Sequence, residues 1–110
     1  WSPLDHLDVR ADVSPETARR TVEDLLVSAV ELRMRSDVPV GACVSGGLDS
    51  SILVGILYDR LGAGPDFQGF SAVFPGLPLD ESAYIDALAR RYPFISRRTS
   101  PGANDALAAV

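Results

Sequence analysis

VPVGACVSGGLDSSILVGIL, residues 38–57, climbs through small apolar residues, breaks at Ser45, Gly46 and Gly47, and turns apolar again after Asp49, Ser50 and Ser51. The run from Val38 to Val44 has no helical period and stops at a glycine pair, which predicts a buried strand. Ile52, Leu53, Ile56, Leu57 and Leu61 recur at helical spacing. An amphipathic helix therefore follows, with Gly62, Gly64 and Pro65 as its exit. SGGLDSS becomes the loop that joins strand to helix.

Upstream, Ser14 suits an N-cap, Pro15 the first helical position and Glu16 the positive end of a helix dipole. Val22, Leu25, Leu26, Ala29 and Leu32 then mark the buried stripe of a first helix, which Asp37 and Pro39 close. Downstream, FQGFSAVF (67–74) predicts a second strand and PGLP a turn. Asp80 is placed to cap a third helix carrying Ala83, Tyr84, Ile85, Leu88 and Ala89, and Pro93 ends it. FISRRTS (94–100) completes the series as a third strand. Helix, strand, helix, strand, helix, strand in that order predicts an α/β fold, a parallel sheet with flanking helices joined by right-handed crossovers. Residues 1–13 read as an irregular lead-in.

In an open parallel sheet, ligands sit beyond the carboxyl ends of the strands, and SGGLDSS falls at such an end. Glycines let main-chain N–H groups converge on phosphate oxygens, and the start of the next helix adds free N–H groups and a positive dipole end. Ser45, Ser50 and Ser51 add hydroxyls. No lysine occurs in the chain, so the GxxxxGK[ST] loop is excluded. GxGxxG is absent from this turn, which argues against a dinucleotide fold. Asp49 would repel a phosphate unless a cation lay between them, which points to a Mg²⁺ ligand. The bland alternative is a turn whose aspartate and serines merely cap the helix; two glycines and three serines after a buried strand exceed what a cap needs.

Composition narrows the field. A chain of 110 residues, 46% hydrophobic, is the size of one domain with an ordinary core. The net charge of −5 and pI near 4.6 argue against a nucleic-acid or anionic-membrane surface. No run approaches the roughly 20 apolar residues that span a bilayer, and no leader pattern opens the chain, so a soluble, cytoplasmic protein is expected. The single cysteine, Cys43, reads as a small core residue in a reducing compartment. The start at Trp1 rather than methionine, and the end at NDALAAV like a helix barely begun, suggest a piece of a longer protein.

SGGLDSS resembles the pyrophosphate-binding loop of the ATP-pyrophosphatase (PP-loop) superfamily, of adenine nucleotide alpha hydrolase-like fold. Its members cleave ATP between the α and β phosphates and adenylate a substrate. Together with DVPVGACV ahead of it, FSAVFPG and DESAYIDALARRY, it is similar to the start of the C-terminal synthetase domain of glutamine-hydrolysing asparagine synthetases, over nearly the whole chain. The resemblance implies that Ser45, Gly46, Gly47, Asp49, Ser50 and Ser51 surround the pyrophosphate, with Asp49 on Mg²⁺. It also implies that main-chain groups near Cys43 and Val73 meet the adenine. Cys43 departs from the bulky aliphatic residue common there. Implied too are ATP and Mg²⁺ as cofactors, aspartate as the carboxylate converted to β-aspartyl-AMP, and ammonia from glutamine to give asparagine. An upstream glutaminase domain and a homo-oligomer are the other implied partners. The segment alone, without the family's later acidic motifs, is expected to be inactive and marginally stable. β-Lactam synthetases and lasso-peptide cyclases share the loop and stand as the rival reading, and an ATP-binding module without catalysis as another.

Of the remaining polar residues, Asp80 and Glu81 read as helix-start residues rather than a catalytic pair. Arg97 and Arg98 read as solvated charges without a role. His6 has no second ligand or triad partner in the sequence.

Overall fold

A computed structural model describes residues 2, 5 and 12–102. The readings at Trp1, His6, most of the lead-in and the terminal NDALAAV lie outside the described residues. The elements are α1 (Pro15–Arg33), β1 (Gly41–Cys43), α2 (Leu48–Asp59), β2 (Gln68–Ala72), α3 (Ser82–Arg91) and β3 (Ile95–Thr99). The strands form one parallel sheet in the order β1-β2-β3. The predicted α/β alternation and parallel sheet are both present.

The core lies between the sheet and its helices. Val44, Val54, Leu57, Phe67 and Phe94 form one buried cluster, with Leu88, Ala89 and Tyr92 packed against it. Period-two alternation decides which strand residues face it. Gly69, Ser71 and Val73 of the second strand region are buried, whereas Phe70 and Ala72 between them are exposed. Gly69 permits a close approach, because a Cβ there would stand 2.7 Å from the Phe94 ring. Tyr58 and Tyr92 stack at 5.3 Å between α2 and α3, and the Tyr92 hydroxyl donates to Asp59 at 2.6 Å.

Four expectations need correction. The buried strand predicted over Val38–Val44 shrinks to Gly41–Cys43, with Gly41, Cys43 and Val38 exposed and only Val44 deeply buried. In the described sheet β1 is an edge strand and its outer face carries no helix, so the apolar run is not covered on both sides. Cys43 is for the same reason an exposed free thiol, not a core residue. The helix predicted from Ile52 begins at Leu48, so Leu48–Ser51 form its first turn rather than loop. Its Ile52 and Leu53 stay exposed while Val54, Ile56 and Leu57 are buried. Finally, α1 turns Val27, Val30 and Met34 inward instead of the predicted stripe, and Leu25 is left 65% exposed. The inward line meets α2, where Glu23 of α1 bonds to Arg60 at the end of α2.

The caps follow the sequence more closely. The Ser14 hydroxyl accepts the Thr17 N–H at 3.2 Å. The third helix starts one residue later than a plain Asp80 cap would set it, with Glu81 at the N-cap. The Asp80 carboxylate instead accepts from the Ser82 hydroxyl (2.6 Å), the Phe74 N–H (3.1 Å) and the Ser82 N–H (3.3 Å), tying the turn after β2 to α3. These bonds, the Ser82 hydroxyl first, hold its carboxyl below the ordinary 3.8. A depressed carboxylate stabilises the fold above its unfolded pKa and loses that contribution as pH falls through the folded one. Asp80→Asn is therefore expected to melt below the parent at neutral pH, with the gap closing below pH 3.8. A gap that persists undiminished in acid would place the effect in shape rather than charge.

No described helix is long and apolar enough to cross a membrane.

Candidate nucleotide site at the carboxyl end of the sheet

The break in the apolar run sits where β1 ends. Val44 still pairs with the sheet, donating its N–H to the Phe70 carbonyl at 2.7 Å, and its own carbonyl accepts the buried Ser71 hydroxyl at 2.6 Å. The last residue before the loop is thus held on both main-chain sides. Ser45 and Gly46 then reverse the chain. Gly46 has φ +81°, in the left-handed region, and a Cβ there would meet the Tyr84 Cβ of α3 at 2.8 Å. The turn therefore needs glycine for its backbone and for its contact with α3.

Gly47 caps α2 without a side-chain hydrogen bond. The N–H groups of Leu48, Asp49 and Ser50 find no acceptor among the described residues, and they stand at the positive end of a 12-residue helix. The serines do not fill that role. Ser50 and Ser51 donate their hydroxyls back to the Gly47 carbonyl at 3.2 and 2.7 Å. Ser50 Oγ also accepts the Ser45 N–H at 3.3 Å and lies 3.1 Å from Ser45 Oγ. Ser45 Oγ in turn accepts the Gly47 N–H at 3.3 Å. The simple capping alternative for Asp49 and its serines thus has no bond to support it.

Asp49 is exposed and bonded to no other described side chain. No group of three or more His, Cys, Asp or Glu side chains with metal-site spacing occurs among the described residues. A Mg²⁺ ion commonly takes one or two carboxylates, with phosphates and waters completing its shell. A lone free carboxylate beside unfilled N–H groups fits that donor set.

A cavity of about 750 Å³ opens at the same end of the sheet, lined by Cys43, Ser45, Phe70, Thr99, Arg97 and Arg98 among others. Of the predicted site residues, Ser45, Gly46, Gly47, Asp49, Ser50 and Ser51 come together in one turn, and Cys43 joins Ser45 in the cavity wall. Val73 does not line it, although Ala72 and Phe74 on either side do. Its side chain is buried and its N–H donates to the Thr99 carbonyl at 2.9 Å. Four residues escaped the sequence reading of the site. Ser71 anchors the end of β1, and its signal was a polar residue in the inward phase of FSAV. Tyr84 backs the Gly46 turn. Arg97 and Arg98, read as free surface charges, border the cavity, and Arg98 pairs with Asp86 at 2.6 Å.

The profile of the asparagine synthase family matches residues 21–110. The chain belongs to the asparagine synthase family. The match contains the entire turn and all three strands. A putative glutamine-hydrolysing asparagine synthetase of Methanocaldococcus jannaschii is 51% identical over 61 residues, covering 56% of this chain and 12% of that protein. Asparagine synthetase 1 of Bacillus subtilis, also glutamine-hydrolysing, is 40% identical over 60 residues, covering 49% of this chain and 10% of that protein. The amidase chyE of Penicillium rubens is 34% identical over 86 residues, covering 71% and 13%. The chain thus spans only a small part of the length of these relatives.

Proposed function

We propose that the protein is an ATP-dependent amide ligase that adenylates a carboxylate, aspartate first among the candidates, releases pyrophosphate, and passes the acyl group to ammonia derived from glutamine to form asparagine. The observation that carries this reading is the turn at the end of β1, with its unfilled N–H groups at the start of α2 and the unpartnered Asp49 carboxylate beside them. Membership in the asparagine synthase family and the two synthetase relatives support it.

In this reading the Leu48, Asp49 and Ser50 N–H groups receive the β and γ phosphate oxygens, and the hydroxyls of Ser45, Ser50 and Ser51 turn from one another toward them. Asp49 would hold Mg²⁺, which when bound supplies positive charge against that developing on the departing pyrophosphate. Ser71 keeps the turn in place through Val44. No side chain of this segment acts as a nucleophile, so the contribution of the site is positioning and electrostatics.

The second reading keeps the activation step and changes the acceptor, as in β-lactam synthetases and lasso-peptide cyclases. Two fungal relatives, chyE and the Gibberella zeae protein chry2, are named amidases rather than synthetases, so similarity to this chain does not go with one product alone.

Pyrophosphate release from Mg·ATP by the full-length protein, measured with each of a panel of carboxylates, tests both. Release that depends on aspartate is the expected result. Release with another acid alone would retain the activation and remove asparagine as product. ATP binding without release for any acid would leave only a nucleotide-binding module.

A further inference from the structure

The peptide that leaves β1 for the turn, between Val44 and Ser45, is held at both ends by serine hydroxyls. Its carbonyl accepts the Ser71 hydroxyl at 2.6 Å, from the sheet, and its N–H donates to Ser50 Oγ at 3.3 Å, in the first turn of α2. The pairing of β1 with β2 has already ended, at Cys43 opposite Phe70, while β2 and β3 stay paired as far as Ala72 and Thr99. A side-chain hydroxyl thus takes over where the main-chain ladder stops.

Packing does not require it. Ser71 lies in the inward phase of β2, between Gly69 and Val73, and at 6% exposure it is the one buried polar side chain among the described residues. A hydroxyl in such a place is costly unless bonded, and an apolar residue would fill the space without that need. What the hydroxyl supplies is direction. It holds the carbonyl toward the sheet and so keeps the Ser45 N–H toward the start of α2. Were this peptide to turn over, its carbonyl oxygen would face that end of the helix, and an anion would meet the negative end of a dipole in place of a donor. The Ser50 contact is the longer of the two, and it loosens further when that hydroxyl turns to a phosphate.

We propose that Ser71 is a positioning residue of the phosphate-binding turn, its hydroxyl fixing the Val44–Ser45 peptide so that the Ser45 N–H joins those of the first turn of α2 in facing the anion. The inference rests on the nucleotide reading above and adds to it a residue of the second strand that acts through the main chain of the first.

Ser71→Thr and Ser71→Val have the same shape and differ in the hydroxyl. Calorimetric titration of the full-length parent and of both variants with ATP and with inorganic pyrophosphate, in Mg²⁺ and beside circular dichroism melts, tests the proposal. Ser71→Val is expected to bind both ligands about ten-fold more weakly than Ser71→Thr. Pyrophosphate carries no base or ribose, so its loss locates the effect in the turn. Equal affinities in the pair, even with a lower melting temperature for Ser71→Val, would make the hydroxyl a purely structural bond and overturn the proposal. Weaker ATP with unchanged pyrophosphate would overturn it as well, by placing the effect away from the phosphates. Should the branched variants fail to fold, Ser71→Ala against the parent gives the same comparison with the same outcomes. A parent protein that binds neither ligand would overturn the nucleotide reading and the proposal together.

Discussion

Asp49→Ala in the full-length protein is expected to lower carboxylate-dependent pyrophosphate release from Mg·ATP by two orders of magnitude or more. The side chain is exposed and makes no hydrogen bond to another described side chain, so removing it leaves the packing untouched. Stability should therefore change by no more than about 0.5 kcal/mol. Losing the carboxylate that would hold Mg²⁺ removes charge compensation where the leaving group develops charge, and deletions of that kind cost about 10²–10³ in rate. Asp49→Asn keeps the shape and is expected to fail nearly as badly. Rates of release within a few-fold of the parent in both variants would show that Asp49 is not a metal ligand and that the turn works without it. Raising the Mg²⁺ concentration separates a weakened metal site, which partly recovers, from one that is lost.

Gly46→Ala is expected to cause the largest loss from a single methyl group. At φ +81° a non-glycine residue costs about 1–2 kcal/mol in backbone strain alone. The added Cβ would also stand 2.8 Å from the Tyr84 Cβ, 3.2 Å from the Ile85 nitrogen and 3.3 Å from the Glu81 oxygen. Two of those atoms are main chain, of α3 and of its N-cap residue, and cannot rotate away. Either α3 moves off the sheet or the turn opens, and overpacking of this kind costs a further 1–3 kcal/mol or so. Melting temperature and ATP affinity should fall together. Tyr84→Gly in the same chain removes the nearest obstacle but not the strain, so the double variant should recover part of the loss. Full stability in Gly46→Ala would mean that the turn adopts a different backbone from the one described.

Much of this architecture was legible in residue order. Ser14, Pro15 and Glu16 start α1 as expected because capping is chemistry within a single turn of chain. The glycine pair after Val44 ends β1 for an equally local reason, since φ above zero at Gly46 is available to glycine at little cost. The parallel sheet followed from helices long enough to cross back between strands. By contrast, the same apolar pattern along α1 fits two inward stripes, and the contact with α2, tied by Glu23 and Arg60, selects the one through Val30 and Met34. Asp80 was read as a cap from its position, yet its oxygen also reaches Phe74, six residues away, where the path of the turn brings the N–H to it.

Cys43 shows most clearly where one-dimensional reading ends. A cysteine between Ala42 and Val44 looks buried, because apolar neighbours in sequence suggest an apolar surrounding. Alternation sends Val44 into the core and Cys43 to the opposite face, and whether that face is covered depends on which helices pack there. Arg97 likewise shows no neighbours in FISRRTS, since its place in one row with Phe70 and Cys43, residues 27 and 54 positions away, is set by the register of the sheet. By itself, then, the sequence determined the elements, their order and the position of the glycine and serine turn, because spacing, capping and backbone conformation are properties of neighbouring residues. The tertiary structure alone decided which faces are covered, which side chains meet at the end of the sheet and which arginine pairs with Asp86, because those follow from strand register and helix packing between distant residues.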